Sequence, residues 1–300
     1  MVPPPFFTLT GNLLWERTFR FADWAPGRTQ RAQSESCQVG GKGINVARML
    51  RRLDVPATAL GFVGGAAGTE CVDWLRGQGL DFQAFPAERP TRQGLVVRGG
   101  GRGETTFLGP DAPPGPVGIR ACADYLTRIP DGRLLAVCGS LPGWESAGFD
   151  PLRTALEAWA RRGSLVVDTY GAPLAWFARL PVELIKVNRS EFGGLRSDLG
   201  SIRTAFPVRS WVVTDGARPV EILDGDGAAH RLTPPPVVEV SPTGSGDVLL
   251  ACLLAARWRR GRSLRDAVAF ALPYAAANAA DPGVAEFPLP LDGDPAKAQF

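Results

Sequence analysis

Between residues 119 and 214 of this 300-residue chain, short continuous apolar runs alternate with segments of helical spacing. Leu134–Cys138, Leu165–Asp168, Glu183–Val187 and Ser210–Thr214 read as strands. Ile119–Ile129, Asp150–Arg162, Pro173–Leu180 and Asn188–Leu199 read as helices, with Asp150 as N-cap of its helix and Pro151 at the first position. A strand that is apolar on both sides must be covered on both sides. Alternation of such strands with helices therefore predicts an α/β fold, a mainly parallel sheet between two helical layers.

The flanking segments add to this frame. Phe6–Thr10 and Ala57–Val63 read as further strands, 44–53 and Thr69–Gln78 as helices, and Phe82–Phe85 as extended. Val220–Leu223 and Ala229–Leu232 flank Asp224-Gly-Asp-Gly and predict a hairpin. Two apolar helices near 247–259 and 263–280 close the core, and the tail after Pro282 reads as irregular. Segments 14–21, 31–38, 94–98 and 105–108 instead alternate apolar with polar residues, and the last two flank Gly99-Gly-Gly-Arg-Gly103, a second hairpin. Such strands have one wet face and do not fit the buried sheet. They predict a small separate β-sheet, a lid with segments near 12–39 and 88–109, within one domain spanning 1–300.

Charge and cysteine usage narrow the function classes. The chain carries 33 basic and 30 acidic residues, a net charge of +3, without a long basic run. Neither a nucleic acid nor a membrane surface is an expected partner. The Arg pairs at 51–52, 161–162 and 259–260 read as solvated helix ends. Five cysteines stand at 37, 71, 122, 138 and 252, none in Cys-x-x-Cys spacing, and His230 is the single histidine. A zinc site is not expected, and free buried thiols in a reducing compartment are. His230 sits in an exposed strand and reads as structural. The N-terminus lacks the basic and apolar regions of a signal peptide, and the longest strictly apolar run, Val248–Ala256, is too short to span a bilayer. A cytoplasmic protein is expected.

Three glycine-rich or amide-rich turns carry possible chemistry. In Ser241-Pro-Thr-Gly-Ser-Gly-Asp247 a flexible turn opens onto an apolar helix. Backbone N–H groups and the helix dipole make such a turn an anion hole. Asp247 beside it is either a base that takes a hydroxyl proton or a simple N-cap. Gly40-Gly-Lys-Gly-Ile-Asn45 again leads into a helix, and fits neither the Walker A loop nor the dinucleotide fingerprint. It is an anion site with Lys42 or a tight helix start. Asn188 and Glu191, three residues apart, either order a hydrated magnesium ion or form a capping box.

The combination resembles the ribokinase-like sugar kinases, in particular the phosphofructokinase-B branch, which includes 1-phosphofructokinase and tagatose-6-phosphate kinase. The resemblance runs in order over nearly the whole chain: Gly40-Gly-Lys-Gly-Ile-Asn-Val-Ala-Arg48, Gly61-Phe-Val-Gly-Gly65, Thr91-Arg92, Cys138-Gly-Ser-Leu-Pro-Gly143, Val167-Asp-Thr169, Lys186-Val-Asn-Arg-Ser-Glu191, Thr214-Asp-Gly-Ala217 and Gly244-Ser-Gly-Asp247. It implies a three-layer ribokinase-like fold and transfer of the γ-phosphate of ATP, with Mg2+, to a primary hydroxyl of a phosphorylated ketose such as fructose 1-phosphate, fructose 6-phosphate or tagatose 6-phosphate. By the same resemblance Asp247 is the base, and Gly244, Ser245 and Gly246 form the anion hole. Gly41, Lys42, Asn45, Arg92 and Ser140 hold the sugar phosphate. Lys186, Asn188, Glu191, Thr214, Gly216 and Asn278 lie on the nucleotide side, Asn278 at the adenine, with Asn188 and Glu191 reaching the metal through water. It also implies a homodimer formed through the lid.

Three positions depart from the branch pattern. Its opening Asn-Pro-Ala-Leu-Asp, whose Asp contacts sugar hydroxyls, is replaced by Thr10-Gly-Asn-Leu-Leu-Trp-Glu-Arg17, where Glu16 is the nearest substitute. Val187 and Val248 replace a Pro and a Ser. The change at 10–17 leaves two other readings open: a same-fold kinase for an unphosphorylated sugar or nucleoside, and a nucleotide or sugar-phosphate binding protein without catalysis.

Overall fold

The computed structural model describes residues 6–99, 102–195 and 199–289. Two sheets share the chain. The larger has nine strands: β1 (Phe6–Thr10), β4 (Ala57–Val63), β5 (Asp81–Pro86), β8 (Leu134–Cys138), β9 (Ser164–Asp168), β10 (Leu184–Asn188), β11 (Ser210–Asp215), β12 (Arg218–Leu223) and β13 (Ala229–Leu232). Their spatial order is β13-β12-β11-β10-β9-β8-β1-β4-β5. Every pairing from β5 to β11 is parallel, and only the β11–β12 and β12–β13 pairings at one edge are antiparallel. The smaller sheet has the order β3-β2-β6-β7, from β2 (Leu14–Phe21), β3 (Ser34–Gly40), β6 (Arg92–Gly99) and β7 (Arg102–Leu108).

Successive residues of a strand point to opposite faces, and both faces of the large sheet are buried. Leu134, Ala136, Cys138, Val166, Leu184 and Val212 face one core, completed by α1 (Lys42–Arg52), α8 (Ser245–Leu254) and α9 (Leu264–Ala279). Leu135, Val137, Leu165, Val167, Ile185 and Val213 face the other, under α3 (Pro116–Arg128), α4 (Asp150–Arg162) and α5 (Gly171–Phe177). A third cluster joins α1 and α2 (Gly65–Gly77) to Leu13, Trp15 and Val39 at the small sheet. The expected three-layer architecture with a second, smaller sheet is therefore the one present.

Local expectations are corrected at several ends. Asp150 is the first helical residue of α4, not its cap; a 3-10 turn over Ala147–Phe149 runs straight into it. The single helix expected over 188–199 is instead a short α6 (Arg189–Gly193) and, further on, α7 (Leu199–Ala205), with 196–198 outside the described residues. β3 runs over Ser34–Gly40 rather than 31–38. The tip of the 99–103 hairpin and the chain after 289 also lie outside the described residues, but β6 and β7 do pair antiparallel. α8 ends in a π turn over Ala255–Arg259. Arg52 and Arg162 are not solvated helix ends: Arg52 donates to the carbonyls of Ala285 and Phe287, and Arg162 to those of Leu126 and Ile129. None of the five cysteines forms a disulfide; four are buried and Cys37 is half-buried. Among the described residues no helix is long and apolar enough to cross a membrane.

Candidate active site

Ligands of open α/β sheets bind outside the carboxyl ends of the strands. Here a cleft of about 1070 Å³ lies at those ends, between the large sheet, the small sheet and the start of α8. Thr10, Gly139, Lys186, Asn188 and Thr214 line it from β1, β8, β10 and β11 or just beyond them. Glu16, Gln38 and Arg92 line it from the small sheet. Gly41, Lys42 and Asn45 enter from the first turns of α1, and Gly244, Ser245, Gly246 and Asp247 from α8. Ser140 and Gly216 complete the set, so fourteen of the sixteen residues singled out in the sequence line one cavity.

The chain order forces this convergence. Parallel strands put their carboxyl ends on one edge, and each crossover helix then begins on that edge. Gly244 starts α8 in the left-handed region, φ 77°, and a Cβ there would lie 2.3 Å from Val284. Asp247 N–H and Val248 N–H both donate to Gly244 O. Ser245 N–H donates to Pro242 O at 3.2 Å. The N–H groups of Gly244 and Gly246 have no partner among the described residues.

Asp247 is buried, 5% exposed, and its Oδ2 accepts from Asn45 Nδ2 at 2.7 Å. Burial raises its carboxyl to about 6, and the neighbouring Asp168 carboxylate adds to the rise; Lys186, Asn45 and Lys42 oppose it. Asp168 itself was not assigned a role from the sequence. It is fully buried at the end of β9, held at 2.8 Å by Lys42 Nζ and at 2.7 Å by Lys186 Nζ. Burial works to raise Asp168, but the two ammonium groups outweigh it and hold it below the usual carboxylate range. Burial lowers Lys42, yet Asp168 and Glu191 together keep its ammonium well above the usual lysine value. Two buried carboxylates thus differ in their proton affinity: the lysines hold Asp168 low, and burial beside Asp168 leaves Asp247 raised to about 6. The one sequence signal for Asp168 was a carboxylate closing an otherwise apolar strand.

Other expected residues are placed less openly. Asn188 and Glu191 form a full capping box: Asn188 Oδ1 accepts from Glu191 N–H, and Glu191 Oε2 accepts from Asn188 N–H, each at 2.9 Å. Glu191 does not line the cleft, and its Oε1 faces Lys42 Nζ at 3.3 Å. Asn278 does not reach the cleft either. It is fully buried, donates to Thr243 O at 2.9 Å and Ser245 Oγ at 3.1 Å, and accepts from Ala285 N–H at 2.8 Å. These bonds join α9 to the turn before α8 and to the tail, and they leave the Asn278 amide outside the cleft lining. Arg92 pairs with Asp111 at 3.1 Å, and Asn12 Nδ2 donates to Asp111 at 2.8 Å and to Ser140 Oγ at 3.1 Å. Asp111 and Asn12 carried no motif and were found only by tertiary contact. Glu16 Oε1 accepts from Gln38 Nε2 at 2.5 Å. Thr214 Oγ1 donates weakly to Val187 O at 3.4 Å.

Residues 14–291 match the family model described as pfkB family carbohydrate kinase. The 1-phosphofructokinase of Bacillus subtilis (strain 168) is 28% identical over 259 residues, 83% of this chain and 84% of that one. Phosphofructokinase-2 from Escherichia coli, crystallised in complex with substrates and products, has a TM-score of 0.83 at 24% identity over 95% of both chains. A ribokinase from Thermotoga maritima has a TM-score of 0.69 at 16% identity, over 95% of this chain and 96% of the other. A strand order, a cleft and a family match that agree over nearly the whole length lead to one assignment: this chain belongs to the pfkB family of carbohydrate kinases, phosphotransferases with an alcohol group as acceptor.

Proposed function

We propose that this chain moves the γ-phosphoryl group of ATP to a primary hydroxyl of a phosphorylated ketose, with Asp247 as base. Fructose 1-phosphate, fructose 6-phosphate and tagatose 6-phosphate are the acceptors to try first. The observation that carries this reading is a buried carboxylate, raised to about 6 and fixed by Asn45, one turn of backbone away from two unpartnered N–H groups. A base held near neutrality takes a hydroxyl proton well at physiological pH, and fixed N–H groups stabilise charge on the phosphoryl oxygens. Relatives of this chain bear the names of phosphofructokinases, which supports a sugar phosphate as acceptor. Arg92 is a suitable anchor for the acceptor's phosphate, and Glu16 with Gln38 for its hydroxyls. Closure of the small sheet as a lid over this end excludes water.

The nucleotide side fits ATP with magnesium. Lys186 Nζ lies against Gly246, 2.7 Å from where a Cβ would stand, beside the free N–H groups. Among the described residues no cluster of three or more His, Cys, Asp or Glu side chains is grouped to hold a metal. A magnesium ion that keeps several waters needs only one or two carboxylates plus substrate phosphates. Glu191 and Asn188 fit that outer position. The ion, when bound, offsets phosphate charge. Four buried thiols, with Cys71 pushed up to about 12 by burial, suit a reducing cytoplasm.

A second copy of the chain is read as the cover of the small sheet. Phe107 and Leu108 on its edge strand β7 are each 55% exposed, and an open strand edge favours pairing.

ATP consumption across a panel of ketose phosphates tests the reading, with Asp247→Asn and Arg92→Ala alongside. Turnover that Asp247→Asn lowers by about 10²–10⁴-fold is expected; full activity in that variant, or no turnover with any acceptor, sinks it. One observation favours an unphosphorylated acceptor instead: Lys42 and Arg92 both already face carboxylates. On that second reading Arg92→Ala leaves turnover largely unchanged, whereas the first expects KM for the acceptor to rise more than about tenfold.

A further inference from the structure

At the small-sheet end of the cleft stands a carboxylate that carried no motif in the sequence. Asp111 lies on the connection from β7 to α3, with its side chain 58% exposed at the cleft mouth. Its Oδ1 accepts from Arg92 Nη1 at 3.1 Å and from Asn12 Nδ2 at 2.8 Å. The Arg92 guanidinium is the group suited to anchor the acceptor's phosphate, and only 15% of that side chain is exposed. The pairing is incomplete. Arg92 Nε and Asn12 Oδ1 are both buried and have no partner among the described residues. One oxygen of Asp111 serves both donors, where a phosphate ester with three free oxygens can fork across Nε and an Nη of Arg92. Nor does its own segment fix the carboxylate. Among the described residues the backbone of 110–113 makes no hydrogen bond, and Pro110 and Pro113 have no N–H. Asp111 can therefore leave Arg92 without breaking a backbone bond.

A counter-ion built onto a phosphate anchor acts on both kinds of acceptor. A phosphorylated acceptor has to displace it, so its apparent affinity falls with the fraction of chains in which Arg92 is free. An ion pair with one exposed partner lowers that fraction by about two- to fivefold. Repulsion between the displaced carboxylate and the phosphate adds to this. An acceptor without a phosphate, by contrast, meets no bare cation. A largely buried donor left unpaired is what makes a site reject the analogue that lacks its partner, and Asp111 removes that penalty. We propose that Asp111 is a specificity-determining residue: it stands in for the acceptor's phosphate on Arg92, and so narrows the preference of this site for phosphorylated over free ketoses. This inference rests on the phosphorylated-ketose reading above. Asp111 acts through Arg92 and takes no part in the phosphoryl transfer itself.

The whole protein carrying Asp111→Ala, Asp111→Asn or Arg92→Ala tests this. With the ketose phosphate that turns over, Asp111→Ala is expected to lower KM about three- to tenfold, at a kcat within about twofold of the wild type. The ratio of kcat/KM for that ketose phosphate to kcat/KM for the free ketose rises by the same factor or more. Asp111→Asn keeps an acceptor for Asn12 and loses the charge. It moves KM in the same direction, and it decides the matter where the Ala variant fails to fold. In the Arg92→Ala background Asp111→Ala gives no gain, because the counter-ion has nothing left to cover. A KM that stays within about twofold or rises, or a gain that persists without Arg92, overturns the proposal. Melting shifts with fructose 6-phosphate separate this inference from the kinase reading. A larger shift for Asp111→Ala than for the wild type, lost when Arg92 is also replaced, supports the counter-ion; if none of these proteins turns over, the kinase reading falls alone. Turnover of a ketose phosphate by the wild type, with no gain from either Asp111 variant, keeps the kinase reading and overturns the counter-ion.

Discussion

Burial raises Asp247 to about 6, so its charge changes close to physiological pH. In the unfolded chain the same group titrates near about 4. Between about 4 and 6 the folded state binds more protons than the unfolded one, so this group makes stability fall as pH rises through that window. Above about 6 the charged form is a standing penalty on the order of 1–3 kcal/mol. On the proposed reading, with Asp247 as base, activity runs the other way, because a base must be deprotonated. The acid limb of kcat/KM is expected near pH 6. Asp247→Asn is expected to lose turnover yet melt higher than the wild type at pH 7.5, with a flatter stability profile between pH 4 and 6. Thermal melts across that range check it; a variant that melts lower at pH 7.5 and higher at pH 4 contradicts the sign. Asn45 is the partner that keeps the carboxylate aimed while this happens.

Elements hold the site through their ends. The turn before α8 is closed from behind by Asn278 and Val284, so α9 and the tail shape it. Asn278→Ala leaves the Ala285 N–H and the Thr243 carbonyl without their partner. A loss of about 2–4 kcal/mol is expected, with KM raised for every nucleotide and the ATP-to-GTP ratio unchanged. A changed ratio without lost stability supports the adenine role. α1, which presents Lys42 and Asn45, ends in a Schellman turn. Val55 N–H donates to Leu50 O and Asp54 N–H to Arg51 O, with Asp54 in the left-handed region at φ 53°. Glycine suits that position better than Asp. Asp54→Gly is expected to stabilise by about 0.5 kcal/mol in denaturant melts, without effect on turnover; destabilisation by a similar amount refutes the strain argument.

At the scale of the molecule, the small sheet is attached to the large one by short connections and by the cluster around Leu13, Trp15 and α2. Its outer edge leaves Phe107 and Leu108 in water. A dimer through that edge is expected by light scattering at micromolar concentration, and Phe107→Ser is expected to shift it toward monomer. A wild-type monomer at that concentration contradicts the covered edge. Arg98 Nη2 donates to Pro282 O, so the small sheet also touches the tail that backs the turn before α8.

The sequence alone determined the layered α/β fold, because a strand buried on both faces reads as a continuous apolar run and a strand with one wet face alternates. It also exposed the glycine turns before α1 and α8, since only glycine fits those backbones. Charge states were not legible. Asp247 and Asp168 are both lone carboxylates beside apolar strands or helices in the chain. Only the fold decided that two lysines from distant elements meet Asp168, and that burial beside Asp168 raises Asp247 to about 6. The same holds for the bonds of Asn278 to Thr243, Ser245 and Ala285, because hydrogen-bond partners far apart in sequence are set by tertiary packing and not by local pattern.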